Sequence, residues 1–261
     1  MTSIVTWNVN SVRSRLAHVI DFLNTVKPDI LCLQELKVET DKFPYLELED
    51  LGYQLAVHGQ KTYNGVAIFS KYPLDDIITA LPGDENDEQA RYIEAVASTP
   101  NGAIRVASIY VPNGNAIDSD KFAYKMAFYD RLKAHTEQLL KHEEAFVLAG
   151  DYNVAPQAID VYDPKRLEGT ICFHEKEREK LYQLCNLGLT DAYRTLHPDA
   201  KQFSWWDYRG DGYRYDKGLR IDHLLCSPEA ADILSACEVI TEERAKEKPS
   251  DHAPVIAYFN D

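Results

Sequence analysis

The chain has 261 residues and sets 28 Lys and Arg against 42 Asp and Glu, for a formal net charge of −14. With 45% hydrophobic and 11% aromatic residues it can bury a sizeable core, which excludes a disordered tail, and its 12 Gly and 12 Pro follow no collagen period. The acidic balance taken alone argues against nucleic acid, because phosphate binding draws on local positive charge. Divalent cations in a carboxylate cluster, or basic residues gathered on one face, can reverse that locally. No apolar run reaches the roughly 18 residues that a membrane span needs, and the N-terminus lacks a basic region followed by an apolar stretch. The five Cys include no C-x-x-C pair, so neither a disulfide framework nor a zinc site is expected, and the default compartment is the reducing cytoplasm.

Apolar patterns alternate between strand and helix along the chain. Ile4-Val5-Thr6-Trp7 reads as a short strand ending in Asn8, and residues 11–26 carry a helical stripe of Val12, Leu16, Val19, Ile20 and Leu23. Ile30-Leu31-Cys32-Leu33 is a buried-strand run that ends in Gln34-Glu35. Residues 53–57 and 65–70 are strands joined by a turn containing Gly and Asn, and residues 92–99 and 103–110 pair as a hairpin across Pro100-Asn101-Gly102. Residues 119–141 form a long helix, and 145–150 form another buried strand, ending in Asp151-Tyr152-Asn153. Residues 154–173 carry little regular pattern; 175–187 read as a helix, and 219–226 and 254–259 as late strands. With no linker or internal repeat, the expectation is one α/β domain over residues 1–261, for which two packed sheets with helices outside are plausible at this length.

Strand ends supply Asn8, Glu35, and Asp151 with Asn153, while Asp222 and His223 sit within a strand and Ser250-Asp251-His252 precedes the last one. A lone Asp or Asn after a strand is ordinarily a turn residue or helix cap, and a lone His is ordinarily structural. Together they suggest one polar cluster outside strand ends. Hard carboxylate and carboxamide oxygens without Cys suit Mg²⁺ or Mn²⁺, and a carboxylate beside His suits acid–base or phosphate-stabilising work. Metal-assisted hydrolysis of a phosphate ester is the chemistry these residues suit.

The motifs Trp7-Asn8-Val9-Asn10, Leu33-Gln34-Glu35-Leu36-Lys37, Gly150-Asp151-Tyr152-Asn153 and Ser250-Asp251-His252-Ala253-Pro254 span nearly the whole chain. Between them stand His58-Gly59-Gln60-Lys61, Tyr110-Val111-Pro112-Asn113-Gly114, Phe203-Ser204-Trp205-Trp206-Asp207-Tyr208-Arg209 and Gly218-Leu219-Arg220-Ile221-Asp222. On these the sequence resembles the exonuclease III family of apurinic/apyrimidinic endonucleases, within the endonuclease/exonuclease/phosphatase superfamily. The Gly-Asp-x-Asn and Ser-Asp-His pieces are shared with phosphatases of the superfamily; the Trp-Trp block marks the DNA-repair branch.

The resemblance implies an α/β four-layer sandwich of two packed mixed β-sheets flanked by helices. It implies a Mg²⁺ site, with Mn²⁺ as the alternative, at Glu35, with Asn8, Asp251, Asp151 and Asn153 around it. Asp151 would position or deprotonate the attacking water and Asn153 would orient both. His252, oriented by Asp222, and Tyr110 would meet the scissile phosphate. DNA contacts are expected from Lys61, Arg91, Asn113, Trp205, Trp206, Arg209, Arg214 and Lys217; Lys125 and Arg220 also fall in or beside motif segments. Trp205 and Trp206, adjacent on a strand, must point to opposite faces, so one of them can be core.

The implied activity is cleavage of the phosphodiester 5′ to an abasic site, with 3′-phosphodiesterase or 3′-exonuclease action. The substrate would be duplex DNA with abasic sites or 3′-blocked ends, and the expectation is a monomer in the cytoplasm, at the nucleoid when bound to DNA. The sequence departs from the pattern at Leu36, where many relatives have Thr, and over residues 157–173, which border the pocket. Two other readings remain open: another phosphodiesterase or phosphatase of the superfamily, acting for example on inositol phosphates, and a non-catalytic DNA-binding protein.

Overall fold

The computed structural model of the chain describes residues 1–260. Its strands are β1 (Thr2–Asn8), β2 (Ile30–Gln34), β3 (Gln54–His58), β4 (Val66–Ser70), β5 (Leu74–Ile78), β6 (Tyr92–Thr99), β7 (Gly102–Tyr110), β8 (Phe146–Asp151), β9 (Thr190–Asp191), β10 (Trp205–Trp206), β11 (Gly218–Leu219), β12 (Asp222–Cys226), β13 (Leu234–Val239) and β14 (Val255–Phe259). The helices are α1 (Leu16–Thr25), α2 (Tyr45–Glu49), α3 (Asp120–Leu139), α4 (Pro164–Leu167), α5 (Glu175–Cys185), α6 (Ala192–Leu196) and α7 (Pro228–Asp232).

The continuous apolar runs are strands buried on both faces, as such runs demand. Along β1, Ile4 faces a core shared with Ile93, Val106, Val147 and Leu224 of the other sheet. Val5 and Trp7 face outward onto Val19 and Phe22 of α1. In the second sheet Val147 points between the sheets, while Leu148 packs with Phe128, Leu132 and Leu181 of α3 and α5. Each fully buried Val, Leu, Ile or Phe contributes about 1.5–3 kcal/mol. Three stacked apolar interfaces therefore hold four layers, helix–sheet–sheet–helix. The expected sandwich is the observed architecture: two six-stranded mixed sheets in the orders β13-β14-β1-β2-β4-β3 and β5-β6-β7-β8-β12-β9.

Both sheets carry one parallel pair at their centre, β1 with β2 and β7 with β8. The β6–β7 hairpin closes as expected, with Thr99 opposite Gly102. Ser119 caps α3, its hydroxyl accepting from Phe122 N–H at 3.2 Å. Gly150 is required by close approach: a Cβ there would lie 2.1 Å from the Ile109 carbonyl oxygen. All five cysteines are free thiols. Among the described residues no helix is long and apolar enough to cross a membrane.

Some expected boundaries shift. The first helix begins at Leu16 instead of residue 11, because Ser11 and Val12 donate their N–H groups to the Glu35 and Leu36 carbonyls, 2.8 and 3.2 Å away. The expected strand over 219–226 is two strands. Arg220 leaves the ladder to give its N–H to Asp160, and Leu219 pairs with Trp205 while Asp222 pairs with Asp151.

Candidate active site

Register alone aligns three site residues. Tyr110 lies opposite Asp151 in the β7–β8 pair, and Asp222 lies opposite Asp151 in the β12–β8 pair. On the other sheet Asn8 lies opposite Gln34, immediately before Glu35. The backbone then turns sharply, with Asn10, Ser11, Glu35, Lys37 and Asn153 at φ values of 44°, 90°, 53°, 53° and 50°. Left-handed backbone at non-glycine residues is a strain of order 1–3 kcal/mol each and gathers at functional sites. Here it aims the strand-end side chains into one cleft of about 250 Å³.

On one side of the cleft, Asn8 holds two carboxylates together. Its Nδ2 donates to Glu35 Oε1 at 2.8 Å and to Asp151 Oδ2 at 2.9 Å, while its Oδ1 accepts from the Asn10 backbone N–H at 3.0 Å. Lys37 Nζ sits 2.8 Å from Glu35 Oε2. Asp251 accepts from Asn10 Nδ2 at 2.9 Å and from Trp205 Nε1 at 3.0 Å. Glu35, Asp151 and His252 each bring a ligand atom within 4.8 Å of the others, a spacing that can hold a cation. The donors are predominantly hard oxygens, and no cysteine lies among these three, so the set fits a hard divalent metal.

His252 also belongs to a His–Asp pair. His252 Nδ1 lies 2.9 Å from Asp222 Oδ2, which also accepts from Ser204 Oγ at 2.6 Å. His252 Nε2 faces Asp151 Oδ2 at 3.7 Å. Burial alone would lower the pKa of His252; the Asp222 and Asp151 carboxylates overcome it and push it up to about 10. Burial, with the Asp222 charge added, pushes Asp151 up to about 7, against the pull of His252 and the hydrogen bonds from Asn8 and Asn153. Burial and then the Glu35 and Asp151 charges push the Tyr110 phenol up, so it remains an O–H donor at neutral pH. Asn153 completes the floor. Its backbone N–H donates to Asp151 Oδ1 at 2.9 Å, and its Oδ1 accepts from Asn113 Nδ2 at 2.9 Å.

The cleft wall is Trp205, Ile221 and Cys172, the last from the 157–173 segment. Of the two tryptophans only Trp205 lines the cleft. Trp206 is core, packed with Phe203 and Ala253 and tied by its Nε1 to Asp216 Oδ1 at 3.1 Å, so its expected place at the DNA surface is corrected. Lys125 and Arg220 are likewise buried and present no charge to solvent. Arg220 lies between Asp160 and Asp191, at 2.7 and 2.8 Å, which anchors the 157–173 segment.

The other expected basic residues rim the cleft or lie on loops. Arg91 stacks its guanidinium 4.7 Å over the Tyr110 ring and donates to the Tyr110 carbonyl at 3.3 Å. Lys61 is exposed on the β3–β4 loop. On the loop between β10 and β11, Arg209 pairs with Asp207 at 2.8 Å, and Arg214 and Lys217 lie 5.6 and 5.2 Å from the exposed Tyr215 ring. Sequence reasoning missed Arg244, which lies 5.1 Å from both the Tyr208 and Tyr213 rings and holds this loop; it belongs to no motif. Ser204, the hydroxyl on Asp222, was within reach, since it stands inside the Trp-Trp block.

A cation held only by the folded chain stabilises it by mass action. We expect a divalent cation to raise the unfolding temperature, and Glu35→Ala to reduce that shift strongly. Calorimetry against metal concentration measures it, and an undiminished shift removes Glu35 from the metal site.

The Endonuclease/Exonuclease/phosphatase family model matches residues 5–252. Exodeoxyribonuclease III of Haemophilus influenzae is 36% identical over 98% of both chains. Among solved structures, a Neisseria 3′ phosphatase, NExo, bound to product DNA hairpin, superposes with a TM-score of 0.96 at 43% identity over 100% of both chains. An AP endonuclease from Archaeoglobus fulgidus does so with a TM-score of 0.94 at 39% identity, again over 100% of both. The motif residues at the strand ends, the four-layer fold and these likenesses agree: the chain belongs to the endonuclease/exonuclease/phosphatase family, in its exodeoxyribonuclease III branch.

Proposed function

We propose that this protein is a Mg²⁺-dependent DNA-repair nuclease that cleaves the phosphodiester 5′ to an abasic site and leaves a 3′-hydroxyl, and that also clears blocked 3′ ends. The observation that carries the reading is one cleft that gathers the Glu35–Asp151–His252 set spaced for a cation, the His252–Asp222 pair and an indole wall. The relatives named as exodeoxyribonuclease, 3′ phosphatase and AP endonuclease support it. The reading includes a monomer working in the cytoplasm on duplex DNA.

In this mechanism Glu35, with Asp151 and Asn8 beside it, would hold the cation. When bound, the cation supplies Lewis-acid stabilisation of charge on the phosphate oxygens. Asp151 takes the proton of the attacking water, and Asn153 fixes that carboxylate. Cationic His252 and the Tyr110 hydroxyl donate to the phosphate oxygens on which the transition state gathers charge, as preorganised donors do. Lys61, Arg91, Asn113, Arg209, Arg214 and Lys217 meet the DNA.

Abasic specificity is a matter of shape. Metal and phosphate groups carry no information about a missing base, and a sugar without a base is cheaper to extrude from the stack. Trp205 and Ile221 wall the cleft where such a sugar would enter. Trp205→Ala is expected to lower abasic-site incision relative to 3′-phosphate removal by about 10–200-fold. Trp206→Ala is expected to destabilise by about 3–5 kcal/mol, as loss of a core aromatic does, with that ratio unchanged.

The assay uses a duplex with a single abasic analogue and a 3′-phosphate duplex, each with Mg²⁺ and with chelator. The Neisseria 3′ phosphatase favours a second reading, end-processing alone. Wild-type protein that clears 3′ ends and leaves the abasic duplex intact establishes that reading. Activity on inositol phosphates and none on DNA overturns both.

A further inference from the structure

Lys125 projects from α3 into the interior with 0% of its side chain exposed. An ammonium has three donors, and all three are engaged. It donates to the Asn113 carbonyl at 3.2 Å, to the Asn153 carbonyl at 2.8 Å and to the carboxylate of Glu177 on α5. Glu177 is equally buried, and its other oxygen takes the His174 backbone N–H at 3.0 Å. A buried ion pair is weak evidence for stability, since desolvation opposes the attraction. The pair does have a geometric consequence. Two loops that meet at the cleft, after β7 and after β8, are fastened by their carbonyls to one point.

Those loops carry Asn153, which holds Asp151 by its backbone N–H and, at 3.4 Å, by its Nδ2, and Asn113, which holds Asn153. The Asn113 side chain donates to Asn153 Oδ1 at 2.9 Å, and the Asn153 backbone N–H donates to Asp151 Oδ1 at 2.9 Å. Asn153 Nδ2 is held by the Val111 carbonyl at 2.9 Å. Asn153 sits in left-handed backbone at φ 50°, and Lys125 holds its carbonyl there. Gly114 belongs to the same device: a Cβ at that residue would lie 3.1 Å from Lys125 Cδ.

We infer that Lys125 is a positioning residue for hydrolysis: through the Asn113 and Asn153 carbonyls it sets the carboxamide pair that orients Asp151. The inference rests on the nuclease reading above and assigns a role to a basic residue that never reaches DNA.

The test replaces the pair as a unit, Lys125→Met with Glu177→Gln, so that no unpaired charge is buried and the glutamine oxygen still receives His174 N–H. The folded double variant is expected to lose about 10–100-fold in kcat, as small misplacements of catalytic groups do. The salt dependence of DNA binding stays at its wild-type value, and KM changes less than kcat, because no cationic phosphate contact is removed. A double variant with native circular dichroism and wild-type kcat overturns the inference; so does a reduced salt slope, which would make Lys125 a DNA contact.

If the double variant does not fold, Lys125→Arg carries the test. A planar fork keeps the charge but not the three-way ammonium geometry, so kcat is expected to fall with a smaller change in KM, and full kcat overturns the inference. Nuclear magnetic resonance of the Asn113 and Asn153 side-chain amides gives a readout apart from activity. Their resonances are expected to move in either variant, and unmoved resonances overturn positioning. A wild-type protein inert on DNA would overturn only the nuclease reading, since these amide signals still report on positioning.

Discussion

Asp151→Asn is expected to lower turnover by about 10²–10⁴-fold, the range for a lost general base, while the metal-free protein unfolds no earlier than wild type. The carboxyl is buried and pushed up to about 7, with burial the leading cause. Its ionised form therefore weakens the fold that it serves, a trade of stability for activity. From the ordinary 3.8 to about 7, the folded wild type holds a proton that the unfolded chain has released, so stability falls as pH rises through that window. His252, raised from 6.5 to about 10, acts in the same direction at higher pH: its contribution is complete below 6.5 and is lost as pH rises through about 10. In chelator, wild type should lose stability across both windows, and Asp151→Asn should lack the acidic one. Thermal unfolding at about pH 5, 7 and 9 measures this. A variant with the wild-type slope below pH 7 would show that another group carries the proton.

His252→Ala and Asp222→Asn are each expected to cost about 10²–10³ in kcat, and the double variant little more than the larger single loss, because residues acting as one unit are not additive. Asp222 accepts the hydrogen bond of His252 Nδ1–H at 2.9 Å and keeps the ring charged. An asparagine can donate to Nδ1 instead, which leaves a neutral ring with its proton on Nε2. The ring still reaches the phosphate, without its charge. Ser204 holds Asp222 at 2.6 Å, so the carboxylate does not swing to compensate. Single-turnover rates of the four proteins on one abasic duplex give the cycle, and strictly multiplied losses would separate the pair. DNA affinity should change little in all four, since the loss lies in transition-state charge.

The strands that bear the site are legible in the order of the residues. Runs such as Ile30-Leu31-Cys32-Leu33 leave no polar face, so they require cover on both sides; the order of the four layers comes from the family resemblance. The order of the residues also singles out Asn8, Glu35 and Asp151, because the change from an apolar run to a carboxylate or carboxamide is a local signal; the pairing of Asp222 with His252 comes from the resemblance. What the sequence leaves undecided depends on distant partners. Strands β5 and β13 lie at sheet edges, with four of five and two of six residues exposed, so they lack the apolar run that announces a strand.

Period-2 alternation set Trp205 and Trp206 on opposite faces; the neighbours of the strand, Asp251 for one and Phe203 with Asp216 for the other, decided which is wall and which is core. Lys125 and Arg220 read as surface charge. Each is buried because a carboxylate far along the chain, Glu177 or Asp160, meets it inside. A charge enters the interior only with its partner, and tertiary structure supplies that partner.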